Sequence, residues 1–560
     1  MPKRILTFFN KEFNGINEAA LLLGGFAFLS QILGLIRDRT LASQIGAGPI
    51  LDIYYAAFRV PDFIYISIAS LASVTVLLPF LIDKIKGDDN SKARLFLNNV
   101  FSAYMIFMVV VSIIVAILMP YIASYVAPGF SPSQLSSLVI TSRIMLLSPI
   151  FIGLSNLIGS VTQLFRNFFI FSLSPIFYNL GIIFGIICFY PIFGVYGLAF
   201  GVILGAILHL LVQVPVVIKH GLFPTLSFKI NWKEIFEVTK LSIPRTLALS
   251  CNSLAFIFLI AMASTLKEGS ISLFTFSFNL QSVPVGIIGI SYSVAAFPIL
   301  VKSFSAKDMA NFIDNIIGAA RQIIFWSLPV IALIIVLRAQ IVRVVLGANA
   351  FTWADTRLTA AAIALFVISL ASQSLVLLFV RGYYAASKTK KPLMINVFSS
   401  FMIIIFAYLI LYIFKTYPNI LNNLEGILRV RGVPGTIMLA LPIAYALGSI
   451  INFFLIWILF KRDFLKDRGS MLYKTFFESL FGAIIMGLFS YISLNFWSNI
   501  FNLDTFIGIF LQGLISGITG ISAGILVLYI FKNKELLGII KVLSHKLSSN
   551  RIIAPEQTEL

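Results

Sequence analysis

Six ionisable side chains interrupt an otherwise apolar stretch between Ser30 and Asp62. They are Arg37, Asp38, Arg39, Asp52, Arg59 and Asp62. A charge at bilayer depth costs about 2.5–3.5 kcal/mol on insertion scales, so such side chains usually face a protein interior or a water-filled cavity. Two guanidinium groups with carboxylates nearby can offer forked N–H donors to a phosphate or pyrophosphate. These residues therefore indicate anion binding in a membrane-embedded cavity.

The composition agrees with a membrane setting. Of the 560 residues, 59% are hydrophobic and 11% are charged, whereas soluble domains carry about 25% charged residues. The formal net charge of +19 would suggest nucleic-acid binding in a soluble chain. Here an excess of Lys and Arg in cytoplasmic loops explains it, and we expect no nucleic-acid partner.

The side chains that commonly bind metals or carry out catalysis are scattered. Cys188 and Cys251 lie in apolar runs without disulfide or metal-ligand spacing, and the three histidines are far apart in sequence. No phosphate-binding GxxxxGK[ST] motif is present. We therefore expect no metal site, no cofactor and no enzymatic activity.

Apolar runs of about 20 residues, long enough to cross a bilayer, recur along the chain. We predict about fourteen spans, near residues 18–46, 51–82, 94–127, 137–164, 168–190, 194–218, 241–266, 270–301, 310–337, 357–384, 391–415, 434–460, 472–497 and 503–531. Lys and Arg concentrate in the even-numbered connections, which predicts that both termini are cytoplasmic. The connection near 338–357, with three arginines on the opposite side, departs from this rule.

Short motifs recur in the same order in two halves of the chain. The pairs are Pro175–Asn179 with Pro392–Asn396, and Gly194–Gly197 with Gly432–Gly435. Each half then holds six spans, and an even number makes the repeats parallel, related by an axis along the membrane normal. The predicted fold class is an all-α polytopic membrane protein with two six-helix lobes around a central cavity and two extra C-terminal helices.

The expected organisation follows from these halves. We predict an interfacial N-terminal lead at 1–17, an N-lobe at 18–218, a cytoplasmic linker helix at 219–240, a C-lobe at 241–460, spans 13 and 14 at 461–531, and a cytoplasmic amphipathic tail at 532–560.

Helical spacing places the charges on defined faces. Asp52, Arg59 and Asp62 share one face of the second span. Arg37 and Arg59 each lie about nine residues from the outer ends of their spans, which places both roughly 13 Å below the surface. We predict that Arg37, Asp38, Asp52 and Arg59 line the substrate-binding cavity, where the two arginines bind an anionic headgroup.

Two further polar residues are candidates for the same cavity. Arg245 follows Pro244 at the start of the seventh span, from which it can face the cavity. Asn279 in the eighth span is a candidate for cavity lining or for an interhelical hydrogen bond.

Purely structural interpretations stay open. Arg37 could pair with Asp52, and Arg59 with Asp62, in salt bridges that only fix the helices. Arg39, nearer the outer end, could extend to the headgroups. Asp62 directly follows Pro61 and could have a local role only.

Several motifs together resemble a known family. They include Leu33-Gly-Leu-Ile-Arg-Asp, Gly46-Ala-Gly, Phe58-Arg-Val-Pro, Arg143-Ile-Met-Leu-Leu-Ser-Pro and Ser174-Pro-Ile-Phe-Tyr-Asn. With them the chain resembles the MurJ (MviN) lipid II flippases of the multidrug/oligosaccharidyl-lipid/polysaccharide exporter superfamily. The resemblance implies fourteen spans, two lobes around a V-shaped cavity, and flipping of undecaprenyl-pyrophosphate-linked peptidoglycan precursor by alternating access.

The resemblance also implies roles for individual residues. Arg37, Asp38 and Asp52 match functional polar positions of the family, and Arg59 stands where the family has Lys or Arg. Asn279 stands where the family has a cavity arginine. In this chain, the seventh and eleventh spans hold no Asp or Glu in place of the family's sodium-site carboxylates. Coupling to Na⁺ or H⁺ is therefore left open.

The sequence thus predicts a lipid II flippase in the bacterial cytoplasmic membrane, acting in peptidoglycan and cell-wall biogenesis. Its partners would be a polyprenyl-pyrophosphate-linked glycan, membrane lipids and cell-wall synthesis proteins. Two alternatives are kept. One is export of another polyprenyl-linked glycan or amphipathic molecule, and the other is a non-transporting scaffold for cell-wall enzymes.

Overall fold

The chain folds into helices. The structure, a computed structural model, describes residues 16–69, 74–85, 91–165, 167–465 and 471–548. Within these ranges every regular element is a helix, as lipid requires, because a helix satisfies its own backbone N–H and C=O groups. The predicted all-α polytopic membrane class is confirmed. Most of the predicted lead at 1–17 lies outside the described residues.

The first part of the chain supplies the helices that carry the candidate residues. They are α1 (Ile16–Gln44), α2 (Pro49–Ala57), α3 (Arg59–Ala69), α4 (Val74–Lys84), α5 (Ser91–Val126), α6 (Pro132–Leu164), α7 (Phe168–Phe193), α8 (Val195–Lys219) and α9 (Trp232–Ser264).

The remaining helices follow in the same manner. They are α10 (Ser270–Ser305), α11 (Met309–Val345), α12 (Trp353–Val367), α13 (Leu370–Ala385), α14 (Lys390–Thr416), α15 (Pro418–Leu428), α16 (Thr436–Leu465), α17 (Met471–Trp497), α18 (Phe506–Ile530) and α19 (Lys534–Ser548).

The count of helices that could cross a membrane covers the described residues only. In the described residues, ten helices are long and apolar enough to cross a membrane, or eleven if the α12–α13 pair, bent by 44°, forms one span. The count of fourteen is therefore not confirmed. The three predicted spans outside this count fall on α1, on the α2–α4 series and on α9, each of which includes residues or side chains outside the described part of the chain.

The second predicted span is broken rather than continuous. Helix α2 ends at Ala57 and α3 begins at Arg59. The break matches the position of Pro61, whose ring clashes with the carbonyl four residues earlier and which has no N–H to donate. The interruption lies between Asp52 and Arg59, two of the candidate residues.

The linker prediction is also modified. Helix α9 begins at Trp232, where Asn231 accepts a hydrogen bond from the Glu234 N–H at 3.4 Å, and continues to Ser264. Residues 232–240 are therefore the first turns of the helix that contains the predicted seventh span, and not a separate helix.

The described helices form two compact units. The first holds Met1–Leu280, Val345–Ala362 and Thr389–Gly448, and the second holds Gln281–Val344, Ile363–Lys388 and Ser449–Leu560. All of the candidate residues belong to the first unit. The division into N-lobe and C-lobe at 18–218 and 241–460 stays a prediction.

The C-terminal tail is a docked helix of the second unit. Glu535 in α19 is buried and forms an ion pair with Arg321 Nε of α11 at 2.9 Å. Leu536 packs with Phe325 and Leu528. Arg321 of α11 therefore binds the tail. The position of α19 relative to the membrane stays a prediction.

Helices α7 and α8 pack closely in the first unit through glycines. A Cβ atom on Gly185 would lie 2.3 Å from the Gly201 Cα, and one on Gly181 would lie 2.3 Å from the Gly205 Cα. Small residues at four-residue intervals let two membrane helices approach closely. This contact holds α7 against its neighbour α8.

We expect Gly201→Ala to lower the midpoint of thermal unfolding of the detergent-purified protein. The new methyl group would lie 2.7 Å from Gly185 Cα, and overpacking of this kind costs about 1–3 kcal/mol. The matched control is Gly318→Ala in α11, where a Cβ meets nothing within 4 Å. That variant should keep or raise the midpoint, since Ala favours helix over Gly. Equal midpoints for the two variants would contradict the packing argument.

Candidate functional site

A group of polar side chains joins three helices of the first unit. We call Arg37, Asp38, Asn179 and Asn279 the polar cluster; they come from α1, α7 and α10. Arg37 Nε and Nη2 donate to Asp38 Oδ1 at 3.0 and 2.8 Å, and Nη1 donates to Asn179 Oδ1 at 3.2 Å. Asn279 Nδ2 donates to Asp38 Oδ2 at 2.9 Å. Both oxygens of Asp38 are therefore bonded, one to a cation and one to an amide.

The two charged side chains of the polar cluster differ in their exposure. The Asp38 side chain is 3% exposed, whereas the Arg37 side chain is 24% exposed. A guanidinium has five N–H donors, and the three hydrogen bonds above leave two of them for a ligand. Asp38 thus serves as the buried counter-charge that orients Arg37, and Arg37 keeps donors for an anion.

Arg59 has a different environment. Its Nε donates to the Tyr55 carbonyl at 3.2 Å, and its guanidinium carbon lies 4.5 Å from the centre of the Phe256 ring. Within the described part of the chain, no carboxylate forms a salt bridge with Arg59. An aromatic face stabilises a cation without taking up its N–H donors. Arg59 is therefore a charged group held in place with four donors still available.

Asp52 binds the start of α10. Its Oδ2 accepts from the Gly269 N–H at 2.6 Å, and its Oδ1 accepts from the N–H and the Oγ of Ser272 at 2.8 and 2.5 Å. The first N–H groups of a helix have no partners within the helix, and a carboxylate there also interacts favourably with the helix dipole. Asp52 acts as a cap supplied by another helix, and it is buried.

The two salt bridges considered from the sequence are not formed. Arg37 pairs with its neighbour Asp38 and not with Asp52. Arg59 and Asp62 do not come within salt-bridge distance. Arg37 does form a salt bridge, as the structural interpretation expects, but its partner is Asp38 and not Asp52.

The remaining predicted arginines are placed as follows. Arg39 Nη1 donates to the Val345 carbonyl at 3.3 Å, at the C-terminal end of α11, where a positive charge is favourable. Arg245 belongs to α9, but its side chain lies outside the described residues. Its proposed place in the cavity stays a prediction.

Sequence reasoning missed some partners. Asn179 belongs to the repeated Pro-x-x-x-Asn motif and to the family motif that begins at Ser174, and these motifs are the available signals for a polar role. Gly269 and Ser272 belong to a stretch, Ser264 to Ser272, that also matches the family's motifs, but their contact with Asp52 could not be predicted. Phe256 gave no signal, because it contacts Arg59 only through tertiary folding. Among the described residues, no group of three or more His, Cys, Asp or Glu side chains could hold a metal ion.

The chain matches a known family over most of its length. The family model described as "Lipid II flippase MurJ" matches residues 41–512. This range begins within α1 and includes Asp52, Arg59 and Asn279.

Individual relatives are distant in sequence but similar in extent. A probable lipid II flippase MurJ of Buchnera aphidicola subsp. Schizaphis graminum is 26% identical over 483 residues, which cover 85% of this chain and 89% of the relative. The lipid II flippase MurJ of Burkholderia cenocepacia is 25% identical over 492 residues, which cover 86% and 90%.

Solved structures share the fold. A lipid II flippase MurJ in an inward closed conformation aligns with a TM-score of 0.71 and 22% identity, over 93% of this chain and all of that one. An inward-facing multidrug resistance transporter of the MATE family aligns with a TM-score of 0.61 and 17% identity, over 80% and 96%. The fold is therefore that of these transporters. Since the family model covers most of the sequence, the resemblance seen in the motifs is confirmed, and the chain belongs to the MurJ family.

Proposed function

We propose that this protein flips lipid II, the lipid-linked peptidoglycan precursor, across the bacterial cytoplasmic membrane. Membership of a family described as lipid II flippases supports the substrate class. The observation that carries the proposal is Arg59, a guanidinium stabilised by Phe256 that has no carboxylate partner among the described residues. Such a group is preorganised for an anionic ligand.

The pyrophosphate of the substrate would take up the donors that the two arginines leave free. Charge-assisted hydrogen bonds from guanidinium to phosphate oxygens are short and strong, and paired donors fix the orientation. Arg59 contributes most of them, and Arg37 adds its remaining donors while Asp38 holds it in place. A neutral Asn279 leaves Asp38 bound to a single cation.

Alternating access would require the bonds between α1–α2 and α10 to break and reform. Those bonds are the Asp38–Asn279 contact and the Asp52 cap on Gly269 and Ser272. Net hydrogen-bond contributions of about 0.5–1.5 kcal/mol, and up to about 3 with charged groups, suit a reversible contact. The interruption between α2 and α3 offers a place to absorb the movement.

The proposal also covers the orientation of the chain in the membrane, the energy source of transport and the proteins that use the product. Both termini are placed in the cytoplasm, the cycle is coupled to a Na⁺ or H⁺ gradient, and cell-wall synthesis proteins consume the product. The protein acts as a transporter and not as an enzyme. The excess of Lys and Arg in the even-numbered connections supports the orientation.

We expect Arg59→Ala to abolish growth rescue in cells depleted of their own lipid II flippase, and Arg37→Ala to reduce it. Each change removes donors for the pyrophosphate, and Arg59 has the larger number free. Flipping of lipid II in proteoliposomes measures the same effect directly, with expected losses of about 10-fold or more, since charge-assisted hydrogen bonds are worth about 1.5–3 kcal/mol.

The matched control is Arg94→Ala, because Arg94 in α5 is an exposed arginine of the same unit. It should flip and rescue as well as the unchanged protein. Full rescue by the Arg37→Ala, Arg59→Ala double variant would contradict the phosphate role. Flipping of another polyprenyl-linked glycan in place of lipid II would favour the alternative substrate.

A double-mutant cycle separates structure from binding in the polar cluster. Asp38→Asn should lower the thermal midpoint, because breaking a buried ion pair from one side costs about 3–5 kcal/mol. Adding Arg37→Gln should restore part of the midpoint, since no unpaired charge then remains. Lipid II flipping should stay low in the double variant. Recovery of flipping together with stability would show that the pair is only structural.

Single cysteines test the orientation in intact cells. With Cys188 and Cys251 replaced by alanine, a membrane-impermeant thiol reagent should label Ser133→Cys and not Lys229→Cys. Both positions are exposed, so burial does not explain a difference. Both termini lie on the Lys229 side in the proposed topology. The reverse labelling pattern would place them outside.

A further inference from the structure

A cavity of about 210 Å³ lies in the first unit and is lined by α3, α6, α7 and α8. None of the residues that line it belongs to the polar cluster. Its polar lining consists of Asp62, Tyr65, Ser148 and Tyr178, and the other lining residues are apolar. The cavity therefore brings one carboxylate and three hydroxyl groups to one space within a bundle of apolar helices.

The carboxylate of Asp62 lacks a bonding partner. No described residue donates a hydrogen bond to it or forms a salt bridge with it. The Tyr65 hydroxyl accepts a hydrogen bond from Asn156 Nδ2 at 2.6 Å, so it is held in place. Ionisable side chains inside a membrane bundle are costly and mark ion or substrate pathways when nothing pairs with them. The cavity has room beside Asp62 for a ligand whose charge would offset the cost of burying the carboxylate.

We propose that Asp62, with the hydroxyl oxygens of Tyr65, Ser148 and Tyr178, forms a binding site for Na⁺. Oxygen ligands from carboxylate, hydroxyl and water suit hard cations. A single carboxylate balances one positive charge, which favours a monovalent over a divalent ion. The volume leaves space for water molecules, each of about 30 Å³ in the liquid, to complete the coordination.

The neighbouring Arg59 links this site to the proposed transport. It lies three residues before Asp62 on α3, and its charge acts on the carboxylate without a salt bridge. A pyrophosphate bound by Arg59 would offset that charge and so strengthen Na⁺ binding. Linkage is reciprocal, so bound Na⁺ would strengthen binding of the anion by the same factor. This coupling role rests on the proposed function, whereas Na⁺ binding itself does not.

Equilibrium binding of radioactive sodium to the detergent-purified full chain, without lipid II, tests the site. The unchanged protein should saturate with Na⁺, and Asp62→Asn should weaken binding by at least about 10-fold. Asp83→Asn is the matched control, because Asp83 is an exposed carboxylate at the end of α4. It should bind as the unchanged protein does. Tyr178→Phe should weaken binding to a smaller extent, and Arg59→Gln should tighten it.

Two results would overturn the site. One is Na⁺ binding by Asp62→Asn that equals binding by the unchanged protein. The other is that the unchanged protein shows no saturable Na⁺ binding, which includes the case in which it takes up protons only. If Asp62→Asn does not fold, Tyr178→Phe and Ser148→Ala decide the question, and equal affinity in both counts against the site. Na⁺ binding that depends on Asp62 in a protein unable to flip lipid II would refute the proposed function alone. Lipid II flipping without Na⁺ binding would refute this site alone.

Discussion

The cost of placing charge in lipid governs this structure. Asp38 is almost fully buried, and Arg37 and Asn279 bond both of its oxygens. Within the ion pair of Arg37 and Asp38, the Arg37 side chain stays partly exposed. A buried ion pair gives little net stability, so its value lies in holding a cation at one position with donors to spare. The polar cluster is organised around that constraint.

The same constraint acts on helix ends. Backbone groups at a helix terminus need partners when water is absent. Asp52 supplies them at the start of α10, and Arg39 bonds the Val345 carbonyl at the end of α11. The charged residues that follow one another in the sequence therefore have different partners. Asp52 and Arg39 bond backbone groups of helices distant in sequence, and Arg37 and Asp38 pair with each other. Arg59 and Asp62 form no salt bridge with any described residue.

Family membership gives these differences a meaning. The resemblance places a cavity arginine where this chain has Asn279, and Asn279 donates to Asp38. An arginine at that position would offer Asp38 a second cation and compete with Arg37. With an amide there, Arg37 stays the cationic partner of Asp38, and Arg59 provides most of the free donors. The site keeps a cationic character with fewer charges than the family pattern implies.

The sequence by itself determined the class of protein, most of the helix positions and the family, because apolar runs and ordered motifs are local properties of a chain. It also singled out Arg37, Asp38, Asp52, Arg59 and Asn279 as candidates for the cavity, and their role in binding stays a prediction. It could not assign their partners. Asp52 caps α10, Arg59 lies on Phe256 and Asp62 lines a cavity with Tyr178 only because helices distant in sequence pack together. Pairing is a property of tertiary contact, and spacing along one helix does not contain it.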